Sequence, residues 1–119
     1  MPVTHSPQEC RTMADLRAQI DLLDEELVRL LALRARYIDQ AAAIKSEIGL
    51  AARLDDRVEA VVSHVRDCAD ASGLDPALTE TLWRRLIDWS IGQEEEFLSK
   101  SSKSGARAFT KSSGVAGEE

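Results

Sequence analysis

From Leu16 onward, large apolar residues recur in a 4-3-4-3 spacing: Leu16, Ile20, Leu23, Leu27, Leu30, then Arg34, then Tyr37, Ala41, Ile44 and Ile48. Such a stripe is the face that a long helix turns toward its neighbours. No Gly or Pro interrupts residues 13–48, and Glu25, Glu26, Arg29, Arg36, Asp39 and Gln40 fill the other faces. One helix is therefore predicted from Met13 to about Ile48. At 1.5 Å per residue it is ~50 Å long, whereas a compact globule of this size has a radius of gyration of ~14 Å. So long a helix outreaches the cover its own chain can supply. Its seam is expected to meet a second subunit.

Gly49 reads as a helix stop, followed by a short loop over 50–54. A second helix follows, DDRVEAVVSHVRDCADAS, capped by Asp55 or Asp56 and apolar along Val58, Val61, Val62, Val65 and Ala69. Ser72-Gly73 ends it. Asp75-Pro76 starts a third, with Asp at the N-cap and Pro in the first turn. That helix runs to about Leu98 and carries Leu78, Leu82, Trp83, Leu86, Ile87, Trp89, Ile91 and Phe97. No segment alternates with period two, so the predicted class is all-α: three helices with a very long first one. Residues 1–12 read as a flexible lead-in, 13–99 as the helical domain, and the Ser-, Gly- and Lys-rich 100–119 as a disordered tail.

At 119 residues the chain supports one domain, and with 44% hydrophobic and 4% aromatic residues a monomeric core is modest. A net charge of −6 argues against nucleic acid as the main ligand. It leaves room for a local basic pocket, because pocket potential and net charge are separate quantities. No apolar run reaches membrane-spanning length, and MPVTHSPQECRTM lacks the pattern of a secretory signal. A cytoplasmic protein without a membrane role is expected. Cys10 and Cys68 have no metal or redox spacing, and His5 and His64 have no partnered ligands, so reduced thiols, surface histidines and no metal are expected.

The candidate chemistry lies in the cations. Arg34 interrupts the apolar seam, and a guanidinium there is unfavourable unless an anion meets it. Either a protein acid such as Asp39 or Glu94 pairs with it, or the site receives a carboxylate from outside. Lys45 is eleven residues further on, only ~20° around the helix and ~16 Å along it. Arg17, seventeen residues before Arg34, lies ~100° off that face and ~25 Å away, better placed for an equivalent pocket on another chain. Arg57, at the start of the second helix, either joins the set or sits in solvent. On the third helix Ser90 and Glu94 are four apart and share a face. Glu94 either belongs to the solvated run Gln93–Glu96 or points inward to a ligand. Arg34 and Lys45 are expected to serve binding and catalysis rather than stability. Trp83 and Trp89 read as core or interface anchors.

The segments ADLRAQIDLLDEELVRLLALRARYIDQAAAIK, RLDDRVEAV and GLDPALTETLWRRLIDWSIGQEEEF resemble the all-α (AroQ-class) chorismate mutases and the isochorismate-pyruvate lyases that share their fold. The resemblance covers about residues 8 to 98, and PQECRTMADLR looks like the lyase-type branch. It implies an intertwined homodimer of three-helix protomers whose closed, charged pockets hold a dicarboxylate. By the same resemblance Arg17, reaching over from the partner subunit, and Arg34 bind the two carboxylates. Lys45 bonds a carboxylate and the ether oxygen, Arg57 stands at the entrance, and Ser90 lies near the carboxylates. Glu94 occupies the place of an ether-oxygen donor that is a glutamine in many members and a glutamate in some. There are departures: Val58 sits where many mutases place a glutamate for the ring hydroxyl, and Leu54 replaces an acid beside Asp55.

The function implied first is the Claisen rearrangement of chorismate to prephenate, in aromatic amino-acid biosynthesis. The alternative is the lyase reaction of isochorismate to salicylate and pyruvate; a second is a non-enzymatic helical dimer. Both reactions are pericyclic and need no cofactor. The protein folds the substrate into its reactive shape and stabilises negative charge on the ether oxygen. As a carboxylate Glu94 would repel that oxygen, so its expected role requires the protonated form.

Overall fold

In the computed structural model, residues 5–104 are described. They form a 3-10 helix, Pro7–Glu9, and three α-helices: α1 (Met13–Ile48), α2 (Asp55–Ser72) and α3 (Pro76–Ser104). No strand occurs among the described residues, so the fold is all-α, and none of their helices is long and apolar enough to cross a membrane. The chain divides into two compact units, Met1–Tyr37 and Ile38–Glu119, with α1 contributing to both.

In the first unit the described part of the lead-in, residues 5–12, includes the 3-10 helix. Ser6 and Glu9 form a capping box on the 3-10 helix, with the Ser6 N–H donating to Glu9 Oε1 at 2.9 Å. The His5 N–H donates to Gln19 Oε1 at 3.1 Å, which ties the lead-in to α1. Thr12 caps α1, its Oγ1 accepting the Asp15 N–H at 3.0 Å. The seam Ile20, Leu23, Leu27 and Leu30 is exposed in the single chain, as are Val28, Leu31 and Leu33 on adjoining faces, and Tyr37 reaches 69%. In the single chain these large apolar side chains meet water along much of the helix.

The second unit holds the core. α1 stops where Gly49 takes φ 79°, and the Leu50 N–H closes the end on the Lys45 carbonyl at 2.9 Å. Leu54, in extended conformation, is the N-cap of α2 and gives no side-chain bond. The expected cap at Asp55 or Asp56 is therefore displaced: both acids lie in the first turn, where carboxylates oppose the positive end of the helix dipole. Asp75 caps α3 as expected, Oδ1 accepting the Ala77 N–H at 2.9 Å. α3 passes the predicted end at about Leu98 and runs to Ser104, because nothing before Gly105 breaks it and Lys100 faces Glu96 across one turn at 3.8 Å. The remainder of the expected tail lies outside the described residues.

Val58 and Val62 from α2, Ile87 and Ile91 from α3, and Ala52 from the loop form the buried cluster, with Val61, Trp83 and Leu98 against it. Trp83 thus anchors the core, whereas Trp89 on another side of α3 is 52% exposed. Outside the cluster Arg84 braces the two helices. Its guanidinium takes both Glu59 oxygens at 3.0 and 3.2 Å and Glu80 Oε2 at 2.7 Å, and Arg66 meets Glu80 Oε1 at 2.7 Å. These hydrogen bonds hold the Glu59 and Glu80 carboxyls below the usual carboxylate range. A depressed carboxyl favours the fold when ionised, so the brace is lost as pH falls through those lowered values.

Gly73 ends α2 in the left-handed region, φ 78° and ψ 21°, its N–H reaching the Ala69 and Asp70 carbonyls. A Cβ built there meets nothing within 4 Å, so its penalty is purely backbone. Gly73→Ala is expected to destabilise by about 1 kcal/mol, with Gly73→Asn milder, measured by thermal or urea unfolding.

Candidate active site

Lys45 lies near the end of α1, where an ammonium opposes the negative pole of the helix. It is only 6% exposed. Its Nζ donates to Glu94 Oε1 at 2.6 Å and to the Ala52 carbonyl at 2.7 Å. Glu94 is 4% exposed, while Gln93, Glu95 and Glu96 all face solvent. The acidic run therefore splits: helical phase turns one of its four side chains inward, and the solvated reading fails for that residue alone. Ser90, also 4% exposed, stands one turn before Glu94 on the same face of α3. Ile87 and Ile91 beside them belong to the apolar cluster.

The second unit thus brings Lys45 into direct contact with Glu94 and places Ser90 on the Glu94 face, beside a wall of aliphatic side chains. Arg57, in the first turn of α2, is exposed. Val58 is buried in the cluster, so no carboxylate is offered at that position. Arg17 and Arg34 belong to the first unit: Arg17 is exposed and Arg34 half-buried. The first unit also has an apolar cleft of about 360 Å³ between the lead-in and α1, lined by His5, Cys10, Leu16, Gln19, Ile20 and Leu23 among others. No Lys or Arg lines it, which makes it unsuited to a dicarboxylate.

Sequence reasoning missed two features. One is the Ala52 carbonyl as an acceptor for Lys45, which no side-chain pattern could announce. The other is an ion pair between Arg53 and Asp88, Nη2 to Oδ1 at 3.2 Å. The hint for it was only that the predicted loop and the third helix carry opposite charges at these positions. The expectation that Lys45 serves no structural purpose also changes. An ammonium and a carboxylate this deeply buried depend on each other, and taking one away strands the other.

Glu94→Ala is expected to lose roughly 3–5 kcal/mol of stability, the scale for breaking a buried pair from one side. Glu94→Gln keeps an oxygen acceptor for Nζ and should lose clearly less. Urea unfolding of the three proteins checks the order.

Residues 16–95 match the family model of chorismate mutase type II, a span that holds Arg17, Arg34, Lys45, Arg57, Ser90 and Glu94. Over 93 residues, the chain is 31% identical to an isochorismate pyruvate lyase of Pseudomonas aeruginosa, covering 77% of this chain and 90% of that protein. It is 33% identical over 85 residues to a T-protein of Haemophilus influenzae, and 33% over 81 residues to a T-protein of Enterobacter agglomerans. Those matches cover 71% and 68% of this chain but only 22% of each T-protein, so the chain spans about a fifth of their length. The matched span and the relatives agree: the chain belongs to the chorismate mutase type II family.

Proposed function

We propose that the protein catalyses the rearrangement of chorismate to prephenate, as a homodimer with two sites that each use both chains. The observation that carries the reading is the buried Lys45 ammonium, held at two points inside a family member's helical core. The reaction is unimolecular and needs no nucleophile or cofactor. It needs the substrate folded so that its reacting carbons meet, and a fixed positive group where the ether oxygen gains charge. Arg34 and a partner-chain Arg17 clamp the two carboxylates, each by a bidentate guanidinium contact. Arg57 guides entry and Ser90 supports a carboxylate. Lys45, held by the Glu94 carboxylate at 2.6 Å, meets the ether oxygen. A cytoplasmic location suits such an enzyme.

The dimer is motivated by the exposed row Leu23, Leu27 and Leu30 together with Tyr37. A partner helix is the occupant that a heptad-like seam selects. The second reading, isochorismate cleavage to salicylate and pyruvate, draws on the Pseudomonas relative's 90% coverage and on the apolar Val58. Separate incubation with chorismate and isochorismate, with the products identified, distinguishes the two. Lys45→Ala is expected to lower turnover at least about a hundredfold, the scale for one positioned donor at developing charge. Near-full turnover in that variant would remove Lys45 from the mechanism.

The shared site has its own measurement. Arg17→Ala and Arg34→Ala subunits are each expected to be inactive. Exchanged into heterodimers, they should regain activity, because one of the two sites then has both native arginines. Heterodimers verified by mass that remain inactive would contradict a site built from two chains.

A further inference from the structure

The loop joining α1 to α2 does more than connect them. Ala52 is buried although it lies in a loop, and its methyl joins the cluster of Val58, Val62, Ile87 and Ile91. Its carbonyl accepts from Lys45 Nζ at 2.7 Å. The next residue, Arg53, reaches α3 and donates from Nη2 to Asp88 Oδ1 at 3.2 Å. Asp88 precedes Ser90 by two residues and Glu94 by six. Two acceptors of the Lys45 ammonium, one on the loop and one on α3, are thus joined by a second link that bypasses Lys45. Asp55 Oδ1 stands 3.8 Å from Arg53 Nη1 and steadies the same guanidinium.

We infer that the Arg53–Asp88 pair is a latch that positions Lys45 by holding the Ala52 carbonyl against its ammonium. Arg53 and Asp88 are positioning residues; neither is placed to touch substrate. Their side chains are 47% and 66% exposed. An ion pair so exposed is weak and screened by salt, so it biases the loop toward the closed arrangement by a small factor, up to about fivefold. When the latch opens, the carbonyl withdraws and Lys45 keeps Glu94 as the remaining one of these two anchors. The ammonium then samples positions other than the one that meets developing charge. The consequence for turnover rests on the function proposed above; the control of Lys45 itself does not.

Two measurements on Arg53→Ala, Asp88→Ala and the double variant separate these. In the first, pulse acetylation by acetic anhydride is followed at Lys45 by mass spectrometry, with the exposed Lys100 as internal reference. Lys45 should label two- to fivefold faster in each single variant, and the double variant should match the singles. In the second, kcat at saturating chorismate should fall by a similar factor with KM little changed, and Asp88→Glu should restore part of it. Added salt should lower the wild-type kcat toward that of Arg53→Ala and leave the variant unmoved. Unchanged Lys45 labelling overturns the proposal. So do additive effects in the double variant, or a labelling change in active enzyme with no matching change in kcat. If the wild type turns over neither chorismate nor isochorismate, the function reading fails, and the labelling alone decides on the latch.

Discussion

A 2.6 Å contact between a buried ammonium and a buried carboxylate organises the second unit. Lys45 comes from the end of α1 and Glu94 from the middle of α3, forty-nine residues apart. Neither charge is tolerable in that position without the other, because each loses its hydration and only a close, hydrogen-bonded partner offsets the loss. The pair therefore selects the packing of these two helix segments against the aliphatic cluster. An all-apolar replacement of both would serve stability at least as well. What the ion pair adds is a fixed positive charge in a water-poor place, a use that stability alone does not explain.

Much of the fold was legible because helices write their period into the chain. The uninterrupted seam of α1, the Gly73 stop and the Asp75-Pro76 start are local signals, and the structure follows each one. The differences arise where local signals are weak or compete. Asp55 and Asp56 are good caps by composition, yet Leu54 turns first, and they serve the dipole from inside the helix. Ser and Lys after Leu98 read as a tail, but nothing in SSKS forbids one more helical turn. The lead-in looked featureless because a capping box on a three-residue helix leaves no periodicity to read.

The site was legible to a different degree. Residue phase alone put Ser90 and Glu94 on one face, and both are buried. It also made Arg34 conspicuous, since a cation in a row of leucines is visible without a structure. Phase could not decide which member of QEEE turns inward, nor that Lys45 would meet Glu94. Those depend on how α3 lies against the end of α1, a long-range fact. The Ala52 carbonyl was invisible in principle, because every residue carries one and only the path of the loop decides which is used.

The uncovered face of α1 and the buried pair are parts of one problem. A dicarboxylate needs several cations converging on it, and a short chain with net charge −6 cannot gather them in its own core without large desolvation. Placing some on a long exposed helix removes that penalty from folding. Arg17 is exposed in the single chain, as is Arg57, while among the described Lys and Arg residues Lys45 is the buried one, and it is paired with Glu94. In the proposed dimer, burying the exposed leucines against a second chain would supply apolar free energy for association. Under that proposal, association would complete the site as well as cover the seam, and the long first helix would make both depend on one event.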